Sequence, residues 1–221
     1  MADTTRRRYD SPARRRQAEQ TKARILAAAR QLFRSSGYVN TTIDAIASSA
    51  QVSAKTVEAV FGSKRGVLRA LVDPLASAGP PRDLIDQIRA AADPVHRLEL
   101  IAKLCRRVYE ASQPEFELVR GAAAVVPEVE AVAAQMDTDR LVNQTRVITY
   151  LRDQRRLRED LTEAEATDII WSLTSYDLYR ALVTRRRWTA GRYQNWLAHT
   201  IVASLLAEPG GQREEQHIED G

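Results

Sequence analysis

The sequence is poor in the residues that form disulfides, metal sites and catalytic centres. It contains one cysteine and three histidines among 221 residues. A lone cysteine excludes an internal disulfide, and the histidines are too scattered to share a metal ion. No apolar run approaches the roughly 18 residues that span a bilayer, and no signal-peptide stretch follows the charged N-terminus. We therefore expect a cytoplasmic protein without a cofactor or metal ion that does not enter a membrane.

Glycine and proline are scarce as well, at 9 and 8 residues, whereas alanine, leucine and arginine are frequent. Because helix breakers are few and good helix formers are many, the composition predicts an all-α fold. Hydrophobic residues make up 44% of the chain, which is enough for a substantial core. The sequence shows neither an internal repeat nor strand-like alternation.

Charge is distributed unevenly along the chain. The net charge is +4, but residues 1–70 contain 14 Lys and Arg against 5 Asp and Glu. The remaining residues contain 19 against 24, so the basic excess is confined to the N-terminal third. This asymmetry indicates a polyanionic partner for that third; a solvated basic surface without a partner is the alternative.

The N-terminal third is predicted to be a basic arm followed by short helices. Arginine triplets with little apolar content predict a disordered arm over residues 1–16, which either enters a minor groove or is only a solubilising tail. Apolar residues at helical spacing begin after Gln20, and Gly37 is placed to end that helix in the left-handed conformation. The N-caps of three further helices are predicted at Thr41, Ser53 and Ser63.

A proline-rich stretch over residues 75–82 is predicted to be a loop or helix break. It separates an N-terminal domain of residues 17–75 from a larger helical domain of residues 82–208, and residues 209–221 are predicted to be a flexible tail. Helices of the larger domain are predicted to begin at Asp93-Pro94, at a capping box of Thr162 and Glu165, and at Thr189. Pro114 and Pro127 are expected to interrupt the helices between the first two of these starts. The helix after Pro127 is expected to run to about Arg156, and the one after Thr162 to about Arg185.

Two of the short helices are separated only by Gln51-Val52-Ser53. In a helix-turn-helix, a tight turn between two helices lets the second helix enter the major groove of DNA. Bulky side chains at the start of that second helix would block its approach to the base edges. Small or polar residues occupy that start, namely Ser53, Ala54, Lys55 and Thr56. Their hydroxyl and ammonium groups can reach bases or phosphates, whereas Val57, Val60 and Phe61 are expected to face inward.

The stretch from Ile25 to Leu71 resembles the DNA-binding domain of the TetR family, the tetracycline-repressor-like regulators. The last two predicted helices of the chain are similar to those of such regulators, although more loosely. The matching features of the first stretch are AA-x-x-LF in the first helix, Gly37-Tyr38, Thr41-Thr42, Ile46-Ala47, Val52-Ser53, Thr56, Phe61, Lys64 and Leu68.

The resemblance implies a helix-turn-helix over about residues 41–61. In that motif Thr42 would contact a phosphate, Lys55 and Thr56 would face the groove, and Lys64 would bind a phosphate at the N-terminus of the fourth helix. Glu58 and Val60 stand where the family usually has a tyrosine and an aromatic residue or histidine, so no DNA contact is assigned to them. The full set of predicted DNA-binding residues is Thr41, Thr42, Ser53, Ala54, Lys55, Thr56 and Lys64.

The resemblance also implies a homodimer on a palindromic double-stranded operator and a small-molecule effector of unknown identity. Aromatic and apolar residues of the larger domain are candidates for a pocket or simply for its core, and Arg120 could pair with Glu117 rather than with an anionic effector. The candidate pocket residues are Leu104, Tyr109, Phe116, Arg120, Tyr150, Trp171 and Tyr176. The candidate dimer residues, which could instead be intramolecular core, are Ile170, Leu173, Trp196, Leu197 and Ile201.

The sequence therefore predicts a ligand-responsive DNA-binding regulator, a repressor released from its operator by an effector. An activator with the same fold and contacts is the alternative. Two other classes of protein are the alternatives. No nucleophile–base pair, paired carboxylates or phosphate-cradling glycine loop supports a helical enzyme. Glu58 and Val60 favour a helical interaction protein whose DNA binding has decayed.

Overall fold

A computed structural model describes residues 12–73 and 80–207 of the chain. Within these ranges the secondary structure is helical apart from one isolated bridge between Leu157 and Leu206, which confirms the all-α prediction. The helices are α1 (Pro12–Ser36), α2 (Ile43–Ser49), α3 (Ala54–Phe61), α4 (Lys64–Val72), α5 (Pro80–Ala90), α6 (Pro94–Ala111), α7 (Gln113–Ala122), α8 (Pro127–Asp153), α9 (Glu163–Leu173), α10 (Tyr176–Tyr179), a π-helical segment (Arg180–Arg185) and α11 (Ala190–Leu205).

The helices form two compact units that are not contiguous in sequence. Unit 1 contains the described residues up to 73 together with Ser112–Met136, and unit 2 contains Pro80–Ala111 and the residues from Asp137 onward. The sequence analysis had divided the chain once, at the loop of residues 75–82. Residues 112–136 belong to unit 1 and not to the larger domain as predicted, because their apolar side chains are buried among those of the N-terminal helices.

Helix α1 begins earlier than the sequence analysis predicted. Its first residue is Pro12, so the second arginine triplet, residues 14–16, is helical rather than part of a disordered arm. Proline is favoured at a first helical position because its φ is already helical and it lacks the N–H that would be unpaired there, and arginine is a good helix former. The first triplet, residues 6–8, lies outside the described residues. Gly37, at φ 75°, ends the helix as predicted.

Capping side chains fix the starts of the next three helices. The hydroxyls of Ser53 and Ser63 accept from the backbone N–H groups three residues on, as predicted. The first cap is one residue later than predicted, since Thr42, not Thr41, accepts from the N–H of Ala45. Thr41 is only 2% exposed and its hydroxyl donates to the carbonyl of Gly37 at 2.8 Å, so it cannot also cap α2.

The core of unit 1 is one cluster of buried side chains from α1 to α4, α7 and α8. Ile25, Ile46, Val57 and Leu68 are fully buried at its centre, and Val129 of α8 is fully buried with them. Val119 of α7 and Val132 of α8 belong to the same cluster. Burial of a large aliphatic side chain contributes about 1.5–3 kcal/mol, so α7 and the start of α8 stabilise this unit directly.

Unit 2 combines α5, α6, residues 137–153 of α8, and α9 to α11. The carboxylate of Asp93 accepts from the N–H of His96 at 2.8 Å and so caps α6, and Thr162 with Glu165 forms the predicted capping box of α9. Thr189 caps α11 as predicted. The side chains buried at the centre of this unit include Leu98, Ile148, Leu151, Ile170, Leu197 and Ile201.

The single helix predicted from Thr162 to Arg185 is interrupted. Helix α9 ends at Leu173, and Ser175 caps α10 by accepting from the N–H of Leu178. Thr174, which lies between them, is buried. The Tyr109 hydroxyl donates to the Thr174 backbone carbonyl at 2.5 Å, and the Gln144 side-chain amide donates to the Thr174 hydroxyl at 2.9 Å. These tertiary hydrogen bonds stabilise the break together with the Ser175 cap.

Gly66 provides a direct test of the packing of α3 against α4. A Cβ at this position would lie 1.9 Å from the backbone carbonyl oxygen of Phe61, so Gly66→Ala must shift the backbone. We expect a loss of about 1–3 kcal/mol in unfolding free energy, measured by thermal or urea unfolding. Gly121→Ala is the matched control, since a Cβ there meets nothing within 4 Å, and it should leave stability unchanged or slightly higher. Equal effects of the two substitutions would contradict this packing.

Candidate nucleic-acid interface

Helices α2 and α3 form a helix-turn-helix over the predicted residues. The chain leaves α2 at Ser49 and reverses through Gln51, whose φ is 55°, and the N–H of Val52 donates to the carbonyl of Ala47 at 3.0 Å. Ile46 of α2 and Val57 of α3 bury the inner faces of both helices. The opposite face of α3 is thereby held toward solvent.

The first turn of α3 presents small and polar side chains at the surface. Ser53 and Lys55 are exposed and Thr56 is half-buried. The Ser53 and Thr56 hydroxyl oxygens lie 2.8 Å apart and share a hydrogen bond. The Lys55 ammonium has no partner among the described residues, so its three donors are available to DNA. Ala54 is half-buried and packs against the core, so only its edge is available for contact.

The second turn of α3 differs from the expected inward packing. Val60 is 43% exposed, whereas Val57 is fully buried and Phe61 is half-buried against the core. Residues 57 and 61 are four apart and share the inner face, which leaves Val60 on the flank of the helix. Glu58 is exposed on the same surface as Lys55, three residues away. The exposed surface of α3 therefore contains a cation, a carboxylate and an apolar side chain.

The two threonines before α2 have different environments. Thr42 is exposed, and its hydroxyl accepts from the N–H of Ala45 at 3.1 Å while keeping its own proton to donate. Thr41 is buried and its hydroxyl proton is used within the fold. Thr42 therefore remains a candidate phosphate contact, and the prediction that Thr41 contacts DNA is wrong for this conformation.

Lys64, at the first position of α4, is held by the turn that follows α1. Its ammonium donates to the backbone carbonyls of Tyr38 at 2.9 Å and Val39 at 3.4 Å. It also lies 4.3 Å from the centroid of the Tyr38 ring, a cation–π distance. One of its three donors remains for a phosphate at the N-terminus of α4.

Two polar contacts within unit 1 were not found by sequence analysis. The Tyr38 hydroxyl donates to Glu128 of α8 at 2.9 Å, and Arg30 of α1 donates to the buried Glu115 of α7 at 2.6 Å. The second carboxylate oxygen of Glu115 is buried without a partner. These pairs are 90 and 85 residues apart in sequence, and no local pattern signals them.

The candidate pocket residues are divided between the two units. Phe116 and Arg120 belong to unit 1, whereas Leu104, Tyr109, Tyr150, Trp171 and Tyr176 belong to unit 2. Arg120 is exposed and lies 3.9 Å from the carboxylate of Glu117, which is the internal pair that the sequence analysis had left open. Tyr150 is also satisfied within the fold, because its hydroxyl donates to the Ala92 carbonyl and Arg97 stacks 3.5 Å from its ring centroid.

Four tyrosines of unit 2 form a continuous cluster. The ring centroids of Tyr109 and Tyr176, and of Tyr109 and Tyr179, are 5.4 Å apart, and those of Tyr179 and Tyr193 are 5.0 Å apart. Tyr193 is fully buried, and its hydroxyl has no hydrogen-bond partner. Burial raises the pKa of the Tyr193 phenol, so it stays protonated and can donate.

Trp171 and Cys105 lie in the same unit. Arg140 stacks 4.2 Å from the Trp171 ring and donates to its backbone carbonyl, while the indole N–H of Trp171 is buried without a partner. Burial raises the pKa of the Cys105 thiol to about 12, so it is not a thiolate at neutral pH. Such a thiol is a weak nucleophile.

Three of the five candidate dimer residues are fully buried within the single chain. Ile170, Leu197 and Ile201 have no exposed surface, so the intramolecular alternative is correct for them. Helix α11 packs against α6 and α9 over these side chains. Leu173 and Trp196 are half-buried and keep surface that a second copy could cover.

The described part of the chain contains neither a metal-binding group of side chains nor a membrane-spanning helix. No group of three or more His, Cys, Asp or Glu in residues 12–73 and 80–207 could hold a metal ion. Over the same ranges, no helix combines the length and apolarity that crossing a membrane requires.

Comparison with known proteins gives a family match for the N-terminal part of the chain. Residues 25–71 match the family model of bacterial regulatory proteins of the tetR family. A search of curated protein sequences gave no match. Among solved structures, the chain is similar to NalD, the secondary repressor of the MexAB-OprM multidrug efflux pump in Pseudomonas aeruginosa, with 17% identity, a TM-score of 0.64, and coverage of 88% of this chain and 100% of NalD.

Two further structures have the same fold. A putative TetR-family transcriptional regulator from Syntrophomonas wolfei has 19% identity, a TM-score of 0.66, and coverage of 86% of this chain and 98% of that one. SmeT in complex with triclosan has 21% identity, a TM-score of 0.65, and coverage of 85% and 92%. Residues 25–71, which the family model matches, include the whole helix-turn-helix of α2 and α3.

Glu58 allows the electrostatics of the α3 surface to be tested. If this exposed carboxylate faces phosphates, Glu58→Gln removes a repulsion and should tighten binding to a random-sequence duplex about 2- to 5-fold at low salt. Glu159→Gln is the matched control, because it makes the same charge change on an exposed residue of unit 2 and should change affinity less. Fluorescence anisotropy with labelled duplex gives both values. Weaker binding of Glu58→Gln would instead indicate that the carboxylate accepts a base N–H.

Proposed function

We propose that the chain is a DNA-binding transcriptional regulator, an operator-specific repressor released by a small molecule. The match of residues 25–71 to bacterial regulatory proteins of the tetR family supports this proposal. In this proposal the protein binds a palindromic duplex as a homodimer. Ser53, Lys55 and Thr56 face the major groove, and Thr42 and Lys64 contact phosphates. Contacts to phosphates fix the register of α3, and contacts to base edges select the sequence.

The observation that carries the proposal is the exposed first turn of α3. Its small and polar side chains stand at the surface because Val57 and Phe61 hold the opposite face against the core. A recognition helix needs this arrangement, since its N-terminal residues contact base edges. The unpartnered ammonium of Lys55 can donate to the O6 and N7 acceptors of guanine.

A homodimer follows from the geometry of the duplex. Two helices that enter successive major grooves on one face of DNA are about 34 Å apart, which a two-fold dimer provides. The half-buried Leu173 and Trp196 are the candidate residues for its interface. In this proposal Ile170, Leu197 and Ile201 pack in the core of one subunit and do not contact the second subunit.

Unit 2 is the proposed effector-binding part. The Tyr193 hydroxyl and the Trp171 indole N–H are buried without partners, and leaving such groups unsatisfied costs free energy. An effector that accepts these hydrogen bonds would recover that cost. The complex of SmeT with triclosan, a structure of the same fold, is consistent with a ligand site in this architecture.

Selection of bound sequences from random duplexes with the purified protein tests the proposed function. We expect enrichment of a palindromic motif whose half-sites are about 10 base pairs apart. Enrichment of no motif would reject the operator-specific function and favour a protein-interaction module that presents Glu58 and Val60.

Two lysines should affect this selection differently. Lys55→Ala should relax the base preference at one position of each half-site, because it removes a base contact worth about 1–3 kcal/mol. Lys64→Ala should weaken binding to all sequences similarly and lower the salt slope by about one, since it removes a phosphate contact. The opposite assignment of the two effects would contradict the proposed orientation of α3.

If the Tyr193 hydroxyl is reserved for an effector, removing it should not destabilise the ligand-free protein. Tyr193→Phe should leave the melting temperature of the ligand-free protein unchanged or raise it, because that hydroxyl has no partner in the fold. Tyr109→Phe is the matched control and should lower stability by about 1 kcal/mol, since its hydroxyl donates to the Thr174 carbonyl. A comparable loss in both variants would show that the Tyr193 hydroxyl is structural and not available to a ligand.

A further inference from the structure

The Lys64 ammonium is part of a chain of contacts that ends on α8. Lys64 donates to the carbonyls of Tyr38 and Val39 and lies over the Tyr38 ring. The hydroxyl of the same tyrosine donates to a carboxylate oxygen of Glu128 at 2.9 Å. Lys64, Tyr38 and Glu128 all belong to unit 1.

Tyr38 is held by several contacts besides its hydrogen bond to Glu128. It is 3% exposed, its ring packs 5.4 Å from that of Phe33, and its carbonyl also accepts from the N–H of Thr41 at 3.3 Å. The preceding Gly37, at φ 75°, turns the chain away from α1. Burial and the hydrogen bond to Glu128 both raise the pKa of the Tyr38 phenol, so it remains a donor.

Glu128 is held in place by the core beneath it. It lies in the first turn of α8, and the next residue, Val129, is fully buried among the N-terminal helices. The Glu128 side chain itself is exposed, but this packing fixes the turn from which it reaches Tyr38. A lysine side chain, by contrast, has many rotamers, and restricting them before DNA arrives lowers the entropic cost of the contact.

We infer that Glu128 is a positioning residue for DNA binding, which holds Tyr38 and through it orients the Lys64 ammonium toward a phosphate. The inference rests on the proposed function, because it assigns Lys64 to a phosphate. It adds that the DNA-binding surface is incomplete without a residue of α8, outside the stretch that matches the tetR family. Helix α8 continues without interruption to Asp153, so residues 137–153 of unit 2 belong to the same helix as Glu128.

The sign of the effect separates positioning from simple electrostatics. Removing a negative charge from a protein normally tightens its binding to DNA. Glu128→Ala should instead weaken binding to the selected operator duplex about 3- to 10-fold, because Lys64 loses its orientation. Glu130→Ala is the matched control: it removes an exposed carboxylate from the same first turn of α8 and should leave affinity unchanged or slightly higher.

Two more variants test whether the hydrogen bond between Tyr38 and Glu128 is the contact that affects DNA affinity. Tyr38→Phe removes only the hydroxyl and should weaken binding as Glu128→Ala does, although the ring and both carbonyls remain. Glu128→Gln keeps an oxygen acceptor and should restore most of the affinity. Melting temperatures measured beside the affinities identify any variant that is partly unfolded at the assay temperature, and Glu128→Gln and Tyr38→Phe, which change the fewest atoms, then decide the result.

A double-mutant cycle shows whether Glu128 acts through Lys64. In a Lys64→Ala background, Glu128→Ala should have no further effect, whereas independent effects would add. The inference is overturned if Glu128→Ala binds as tightly as Glu130→Ala, or if the two effects are additive. If the wild-type protein selects no operator at all, the proposed function and this inference fail together; if it selects one and the variants match the wild type, only this inference fails.

Discussion

The shared core of unit 1 is the constraint on which the proposed DNA-binding surface depends. Helices α2, α3 and α4 have 7, 8 and 9 residues, and isolated helices below about 12–15 residues are marginal in water. They persist because each buries one face in a common cluster, which includes Val57 at the centre and Val129 of α8 at its side. The exposed first turn of α3 is therefore a product of packing by helices that are distant in sequence.

Local signals were sufficient to predict much of this architecture. Ser53, Ser63 and the pair of Thr162 and Glu165 were identified as caps because a side-chain oxygen at those positions satisfies free backbone N–H groups of the next turn. Thr41 was mistaken for the cap of α2 because two adjacent hydroxyls look equivalent in sequence. Burial distinguishes them, and burial depends on tertiary contacts.

The remaining errors have the same physical origin. The break at Thr174 is stabilised by hydrogen bonds from Tyr109 and Gln144, which are 65 and 30 residues away. The contact between Tyr38 and Glu128 joins residues 90 apart. Periodicity also showed that the side chains of α9 and α11 are apolar, but it could not tell whether they pack within one chain or between two. Three of the five candidates proved to be intramolecular core.

The central claim is that α3 of two copies reads a palindromic duplex from one face. Hydroxyl-radical footprinting of the full chain on its selected operator tests this claim most directly. The account predicts two symmetric protected half-sites about 10 base pairs apart, on the same face of the helix, with protection that weakens as salt is raised. A single asymmetric footprint, or uniform protection without half-sites, would contradict it.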